Sequence, residues 1–214
     1  MAAVARHELV SAELRSRAYL DEFHRTSPGS GLTPPSLVAI MLEGLHVEPG
    51  QRVLELGVGS GFHALALLRL QPDLQAVGVE IEGSLVERAR EAAARAGVGD
   101  SLTLLHGDGA QAARDHAPFD RVYATFAVRR PASQILPVLR EGGLALIPRA
   151  VGPHELAREP LLAELRAAHP TYDSFLEVWQ RNLCLTTYRA QGGHLRVASK
   201  LYGFSFVGER EGRL

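Results

Sequence analysis

From Gln51 onward, the sequence alternates short apolar, β-branched runs with longer segments of helical periodicity. The predicted strands are Val53–Leu56, Ala76–Val79, Leu102–Leu105, Arg121–Ala124 and Leu144–Ile147. The predicted helices between them are Phe62–Leu70, Gly83–Ala96 and Ala132–Leu139. Strands that alternate with helices over short connections form parallel sheets covered on both faces. The pattern therefore predicts an α/β fold built on a mostly parallel sheet.

The residues before this core are predicted to be helical. Residues 4–24 carry apolar side chains near a 3.6-residue period, which indicates an amphipathic helix. A stretch rich in proline and glycine follows, and the apolar run Ser36–Leu45 indicates a second helix. Proline is accepted in the first turn of a helix, so Thr33 is a candidate N-cap of that helix.

Beyond Pro148 the alternation ends. The sequence there predicts a helix over Leu156–Ala168 and then an antiparallel finish to the sheet. The strands predicted for this finish are Phe175–Trp179, Leu183–Tyr188, Leu195–Leu201 and Phe204–Val207. We expect a single domain over residues 1–214, made of an N-terminal region (1–50), a core (51–150) and a C-terminal decoration (151–214).

Composition narrows the function classes. The net charge is −1, so the chain lacks the global basic field typical of nucleic-acid-binding proteins. The sequence shows neither a signal-peptide pattern nor an apolar segment of about 20 residues, so we expect a cytoplasmic protein without a membrane partner. Cys184 is the single cysteine, which excludes an intramolecular disulfide and a cysteine-based zinc site. No metal site is predicted.

The strongest local signal is a glycine loop after the first core strand. Gly57, Gly59 and Gly61 follow a buried strand and precede a helix, where glycine permits a tight turn and close approach of a ligand. A purely structural turn is the alternative for such a loop taken alone. A dinucleotide fingerprint would place its third glycine where Phe62 stands. The tighter spacing favours a nucleoside with an amino-acid tail.

Acidic residues accompany three successive strands. Glu55 precedes the loop, where its carboxylate either meets the ammonium of that tail or merely orders the loop. Glu80 ends the second strand and is suited to accept ribose hydroxyls, whereas Asp108 follows the third strand and is suited to accept the adenine amine. Parallel strands place these ends at one edge of the sheet, where open α/β sheets bind ligands. The set predicts S-adenosylmethionine as the cofactor.

These motifs resemble the class I methyltransferases, and more narrowly the protein-L-isoaspartate O-methyltransferase family. Three details carry the narrower resemblance: the segment Gly29–Met41, the Gly-x-Gly-Ser-Gly-aromatic form of Gly57–Phe62, and the run Val122–Ala127. The resemblance implies a Rossmann-like, mostly parallel seven-stranded sheet with helices on both faces. It also implies that residues 1–50 form the substrate side and residues 51–150 the cofactor-binding core.

The resemblance further implies O-methylation of the free carboxylate of L-isoaspartyl residues, an act of protein repair, in a peptide or protein. Thr33 takes the place of a hydroxyl residue that orients the acceptor carboxylate. The residues implied in cofactor binding are Glu55, Gly57, Gly59, Ser60, Gly61, Glu80, Ile81, Gly107, Asp108, Gly109 and Thr125.

Some positions depart from the family pattern. Phe126 replaces a small residue, and Arg129 and Arg130 follow where the family tends to be acidic or apolar. Each arginine either pairs with a substrate carboxylate or is simply solvated. His63 stands next to the glycine loop, where it either faces the site or, as we expect, lies on a helix surface. These departures leave open a methyltransferase for a small metabolite or modified peptide, and a non-catalytic protein that retains the cofactor. The sequence makes no prediction of oligomeric state.

Overall fold

The computed structural model of the chain describes residues 4–27, 30–129, 132–150 and 183–204. Its strands are β1 (His24–Ser27), β2 (Ser30–Leu32), β3 (Arg52–Leu56), β4 (Gln75–Glu80), β5 (Leu102–His106), β6 (Phe119–Ala124), β7 (Leu139–Ala150), β8 (Leu183–Gln191) and β9 (His194–Phe204). Its α-helices are α1 (Pro35–Gly44), α2 (Phe62–Leu70), α3 (Gly83–Ala96) and α4 (Gly109–Ala112). Short 3-10 helices span Arg6–Glu8, Ala12–Arg17, Gly99–Ser101, Arg114–His116 and Ala132–Val138.

Seven strands of the described chain form one sheet in the order β5-β4-β3-β6-β7-β8-β9. The pairings from β5 through β7 are parallel, whereas β8 and β9 add to β7 in antiparallel fashion. A tight turn at Gly192 and Gly193, both with positive φ, joins β8 to β9. The predicted fold class, a mostly parallel sheet with an antiparallel finish, is confirmed.

Helices cover both faces of the sheet. On one face, α1, α2 and α3 pack against side chains such as Val53 and Tyr123. On the other face, the 3-10 helix Ala132–Val138 packs against Leu54 and Val122. Because alternate residues of a strand point to opposite faces, Glu55 lies on the same face as Val53, beneath α2. Glu55 is therefore an ionisable residue among the buried apolar side chains of β3.

The N-terminal region differs from the predicted single helix. Residues 4–24 fold into two short 3-10 helices joined by bends instead of an amphipathic α-helix. Of the apolar residues of the pattern, Val4, Leu9, Val10 and Ala18 are nevertheless buried, whereas Leu14 is half-buried and Leu20 is 51% exposed. Arg6 Nε donates a hydrogen bond to the Ala18 carbonyl oxygen at 2.5 Å, and this contact folds the segment back on itself. The apolar pattern therefore predicted most of the buried side chains correctly and the conformation wrongly.

Two smaller expectations are also corrected. Thr33 does not cap α1: Pro34 occupies the N-cap position without a side-chain cap, and the Ser36 amide instead donates to Asp21 Oδ1 at 2.9 Å. The segment predicted as helix Ala132–Leu139 is a 3-10 helix containing Pro137, whose ring cannot continue an α-helical ladder.

At the C-terminal end, the two strands predicted over Leu195–Leu201 and Phe204–Val207 merge through Phe204 into β9, and residues 205–207 lie outside the described chain. The predicted helix Leu156–Ala168 and strand Phe175–Trp179 also lie outside it. Among the helices described, none has the length and apolar character needed to cross a membrane.

Candidate active site

A cleft opens at the carboxyl ends of β3, β4, β5 and β6, the edge at which the sequence placed the cofactor. The glycine loop lines the cleft, and so do β2 and the adjoining Thr33. The predicted site residues that line the cleft are Thr33, Gly57, Gly59, Ser60, Glu80, Ile81, Gly107, Asp108, Gly109 and Thr125. Residues from four strand ends and the N-terminal region thus meet around one cavity.

The glycine loop is fixed to the neighbouring strands by its backbone. The amides of Gly57 and Val58 both donate to the Val79 carbonyl oxygen, at 2.8 and 3.2 Å. Gly57 has φ +79°, and a Cβ there would lie 2.6 Å from Phe126 Cδ1 and 2.9 Å from Thr125 Oγ1. Only glycine therefore fits at this turn, because both its φ and its surroundings exclude a side chain.

Glu80 joins the end of β4 to the glycine loop. Its Oε2 accepts a hydrogen bond from the Gly59 amide at 2.9 Å, and its Oε1 accepts one from the Glu82 amide at 3.1 Å. The side chain is buried but lines the cleft. A carboxylate has about four acceptor positions, so both oxygens retain capacity to accept hydroxyls of a ligand.

The far end of the cleft is formed by the turn after β5. The Gly107 amide donates to the Glu80 carbonyl oxygen at 3.0 Å, which holds this turn beside β4. Asp108 occupies the N-cap position of α4 without capping it, and its side chain is exposed at the cleft wall. On the neighbouring turn, the Ile81 carbonyl oxygen lies 3.1 Å from His106 Nε2.

The opposite side of the cleft carries the residues expected to contact a methyl acceptor. Thr33 is half-buried and lines the cleft. Ser30 of β2 lies across the glycine loop, with its Oγ 3.6 Å from the position of a Cβ on Gly59. Gln134 and Ile135 also line the cleft, although neither was among the site residues predicted from the sequence. No local motif marks either residue.

Two predicted cofactor residues do not line the cleft. Gly61 has φ +89°, a backbone conformation that favours glycine, and a Cβ added there would lie in ordinary contact with α3, 3.5 Å from Ala89 Cβ. Glu55 is 2% exposed and lies beneath the loop. Arg129 is exposed on the surface, and Arg130 lies outside the described residues.

His63 is buried, contrary to the expectation that it lies on a helix surface. It is 5% exposed, and it lines the cleft. The sequence did contain a signal: α2 has no polar residue other than His63 before Arg69, and a helix that is apolar all round is buried.

Glu55, His63 and Tyr123 form a polar cluster beneath the glycine loop. Glu55 faces Tyr123 in the register of β3 and β6, and its Oε1 lies 4.0 Å from His63 Nδ1. Loss of solvation on burial raises the pKa of Glu55 to about 8. The nearby Tyr123 hydroxyl and Ala64 amide oppose this shift, but neither reaches hydrogen-bonding geometry with the carboxyl group. Burial also lowers the pKa of His63 to about 3.

These two shifts predict an unusual dependence of stability on pH. Between pH 5 and 6.5, His63 is protonated only in the unfolded chain and Glu55 only in the folded one, so their effects on the free energy of unfolding cancel. Between pH 6.5 and 8 only Glu55 contributes, and stability falls by about 1.4 kcal/mol per pH unit. Urea unfolding of Glu55→Gln should instead show stability rising up to pH 6.5 and flat above it.

The matched variant His63→Gln should show stability that falls over the whole interval from pH 5 to 8. If the two variants and the parent chain have parallel pH profiles, the proposed protonation states are wrong.

Comparison with known proteins identifies the family. The model of the protein-L-isoaspartate(D-aspartate) O-methyltransferase family matches residues 1–159. A protein-L-isoaspartate O-methyltransferase of Methanothermobacter thermautotrophicus is 36% identical over 169 residues, which is 78% of this chain and 76% of the relative. The chain belongs to this family. The corresponding protein of Methanopyrus kandleri is 37% identical over 149 residues, 69% of this chain and 66% of that relative.

Solved structures of the family share the fold. A protein-L-isoaspartate O-methyltransferase structure superposes with a TM-score of 0.75 at 21% identity, covering 98% of this chain. This chain spans 59% of the length of that one. A β-aspartate methyltransferase from Plasmodium falciparum, in complex with S-adenosyl-L-homocysteine, has a TM-score of 0.70 at 18% identity and covers 97% of this chain.

The family bears out the enzyme class and the cofactor predicted from the sequence. Its members are S-adenosylmethionine-dependent O-methyltransferases of isoaspartyl proteins.

Proposed function

We propose that this chain transfers the methyl group of S-adenosylmethionine to the free carboxylate of an L-isoaspartyl residue in a damaged protein. The observation that carries the proposal is the meeting of two sides in one cleft: the glycine loop with Glu80 and Asp108 on the cofactor side, and Thr33 on the acceptor side. Family membership supports the same reaction.

The cleft suits the cofactor in shape and chemistry. Gly57 and Gly59, whose positive φ values exclude most side chains, bring backbone close to the cavity, while the Glu80 carboxylate offers acceptors for ribose hydroxyls. We assign Asp108 to the adenine amine because it stands exposed at the end of the cleft beyond β5. Ser60, Ile81, Gly107, Gly109 and Thr125 complete the proposed cofactor contacts.

The protein's main task in this reaction is alignment. The acceptor carboxylate is ionised at neutral pH, so no general base is needed. Its oxygen forms a bond to the methyl carbon as the carbon–sulfur bond breaks, and the bonding electrons remain on sulfur. Thr33 donates its hydroxyl hydrogen to one acceptor oxygen and leaves the other aimed along the transfer line. Positioning of this kind can lower a barrier by about 7–11 kcal/mol.

The adenine assignment gives a direct prediction. Asp108→Ala should weaken binding of S-adenosylmethionine by about 10- to 100-fold, because the variant loses a hydrogen bond to a charged acceptor. Isothermal titration calorimetry measures this affinity. Asp115→Ala, which removes an exposed carboxylate outside the cleft, should bind as the parent chain does. Unchanged affinity in Asp108→Ala would remove Asp108 from the site.

The reaction itself is tested by methyl transfer. Labelled cofactor is incubated with the chain and either an isoaspartyl peptide or the same peptide with a normal aspartyl residue. We expect transfer to the isoaspartyl peptide alone. Failure of transfer when calorimetry shows that the cofactor is bound would contradict the proposed acceptor.

A second candidate is a methyltransferase for a small apolar acceptor. The observation in its favour is Phe126, which lines the cleft together with Val128 and Ile135 and gives it an apolar wall. Transfer to small carboxylic acids but not to the isoaspartyl peptide would support this candidate. Cofactor binding without transfer to either acceptor class would indicate a non-catalytic protein.

A further inference from the structure

The polar cluster beneath the glycine loop contains a carboxyl group without an ionic partner. Glu55 is 2% exposed, and neither of its oxygens makes a hydrogen bond. Within the described residues, the basic group found within 4.0 Å of it is the imidazole of His63, which is itself buried. A carboxylate that lacks both hydrogen bonds and a cation is too costly to bury in its ionised form. Glu55 therefore holds its proton when the cleft is empty.

The groups around Glu55 come from every element packed against it. Tyr123 of β6 stands beside it in register, and His63 of α2 lies above it. Glu80 of β4 adds a negative charge that disfavours ionisation of Glu55. Arg6 of the N-terminal region acts on His63, whose protonated form it disfavours, and its guanidinium stacks 4.6 Å from the Phe62 ring centroid. Consequently, among the described residues, no neighbouring group neutralises an ionised Glu55.

Glu55 is nevertheless electrostatically connected to the cleft. His63 and Glu80 both line the cavity, and each also interacts with Glu55. A positive charge placed in the cleft offsets the charge of Glu80 and attracts an ionised Glu55 through the low-dielectric interior. The proposed cofactor carries one positive charge overall because of its sulfonium, whereas the product left after methyl transfer is a neutral thioether zwitterion.

We propose that Glu55 is a positioning residue that favours the cationic, methylated cofactor over its neutral product by releasing its proton when the cofactor binds. The proton passes to solvent on binding and returns after methyl transfer, when the sulfonium charge disappears. The inference rests on the proposed cofactor. The titration range, around the raised pKa of about 8, places the effect near neutral pH.

Calorimetric titration of the full chain tests the inference. S-adenosylmethionine and S-adenosylhomocysteine are each titrated between pH 6 and pH 9, in two buffers that differ in ionisation enthalpy. We expect the ratio of their affinities to rise by about three- to tenfold over this range, since one pKa unit of difference between the complexes is a tenfold change. We also expect greater proton release with the methylated ligand.

Glu55→Gln is the decisive variant because an amide keeps the shape of the protonated carboxyl group and cannot ionise. Its affinity ratio should equal that of the parent chain at pH 6 and should show no pH dependence beyond the one that the ligands themselves contribute. The α-amino group of both ligands titrates in the same range, but its contribution is common to both proteins. A melting curve near that of the parent chain confirms that the variant is folded.

Three results would overturn the inference. The first is an affinity ratio in the parent chain that is independent of pH, and the second is a Glu55→Gln variant that retains the pH dependence of the parent. The third is a Glu55→Gln variant that binds both ligands more weakly by the same factor at every pH, which is the signature of a merely structural role. Failure of both ligands to bind at any pH is distinguishable from these, because it would contradict the proposed function itself.

Discussion

Thr33→Val should lower kcat for methyl transfer to an isoaspartyl peptide by about 100-fold while the Kd of S-adenosylmethionine stays unchanged. The exchange preserves the shape of the side chain and removes its hydroxyl, so the acceptor carboxylate loses the donor that orients it. A reacting group displaced by about 1 Å can lose a factor of this size. Single-turnover kinetics and calorimetry measure the two quantities separately.

Two variants control this experiment. Thr33→Ser restores the hydroxyl and should recover most of the activity. Thr103→Val makes the same chemical change at an exposed position of β5 outside the cleft and should leave turnover as it is. If Thr33→Val weakens cofactor binding as much as it slows turnover, Thr33 acts on the cofactor side and its proposed role is wrong.

Gly57→Ala should weaken cofactor binding by more than about 100-fold. The added Cβ would lie 2.6 Å from Phe126 Cδ1 and 2.9 Å from Thr125 Oγ1, distances that force the loop or its neighbours to move. The φ of +79° adds strain of about 1–2 kcal/mol for any residue with a side chain. The displaced loop can no longer present its backbone to the ligand. Calorimetry measures the affinity, and thermal melting measures the accompanying loss of stability.

Gly97→Ala separates backbone strain from steric displacement. Gly97 ends α3 with φ +67°, and a Cβ there meets no atom within 4 Å. This variant should lose about 1 kcal/mol of stability and bind the cofactor normally. Equal losses of affinity in both variants would show that the contacts of Gly57 with Phe126 and Thr125 do not control the site.

The core of the fold could be predicted because its signals are local and repeated. The structure places α2 at Phe62–Leu70 and α3 at Gly83–Ala96, the bounds that periodicity predicts. Strands β3 and β4 extend their predicted runs by a residue or two. Buried parallel strands appear in a sequence as continuous apolar runs, so each strand can be predicted from its own residues alone.

The N-terminal region could not be predicted in the same way. Its conformation depends on contacts between residues far apart in the chain, such as the hydrogen bond from Arg6 to Ala18 and the stacking of Arg6 on Phe62. The apolar spacing that suggested a helix indicates most of the side chains that are buried, but not the backbone conformation. Likewise, the Ser36 amide at the start of α1 donates to Asp21, fifteen residues away, and not to the neighbouring Thr33.

The residues of the candidate site likewise include some that local sequence signals predict and others that depend on contacts between distant residues. Its glycines and acids stand at strand ends, where strand order alone brings them together, so the sequence could name them. Gln134 and Ile135 join the cleft through packing in three dimensions, and no motif marks them as its neighbours. Glu55 shows the opposite case: its motif position is clear, but its burial and protonation depend on Tyr123 and α2.

The hydrogen bonds from Gly59 and Glu82 to Glu80 have a kinetic consequence. They hold the loop in its ligand-facing shape before any ligand arrives, so the entropy of ordering it is lost during folding and not during association. Cofactor capture should then follow a single phase whose observed rate rises linearly with concentration. A loop that closed after the encounter would instead give a rate that saturates.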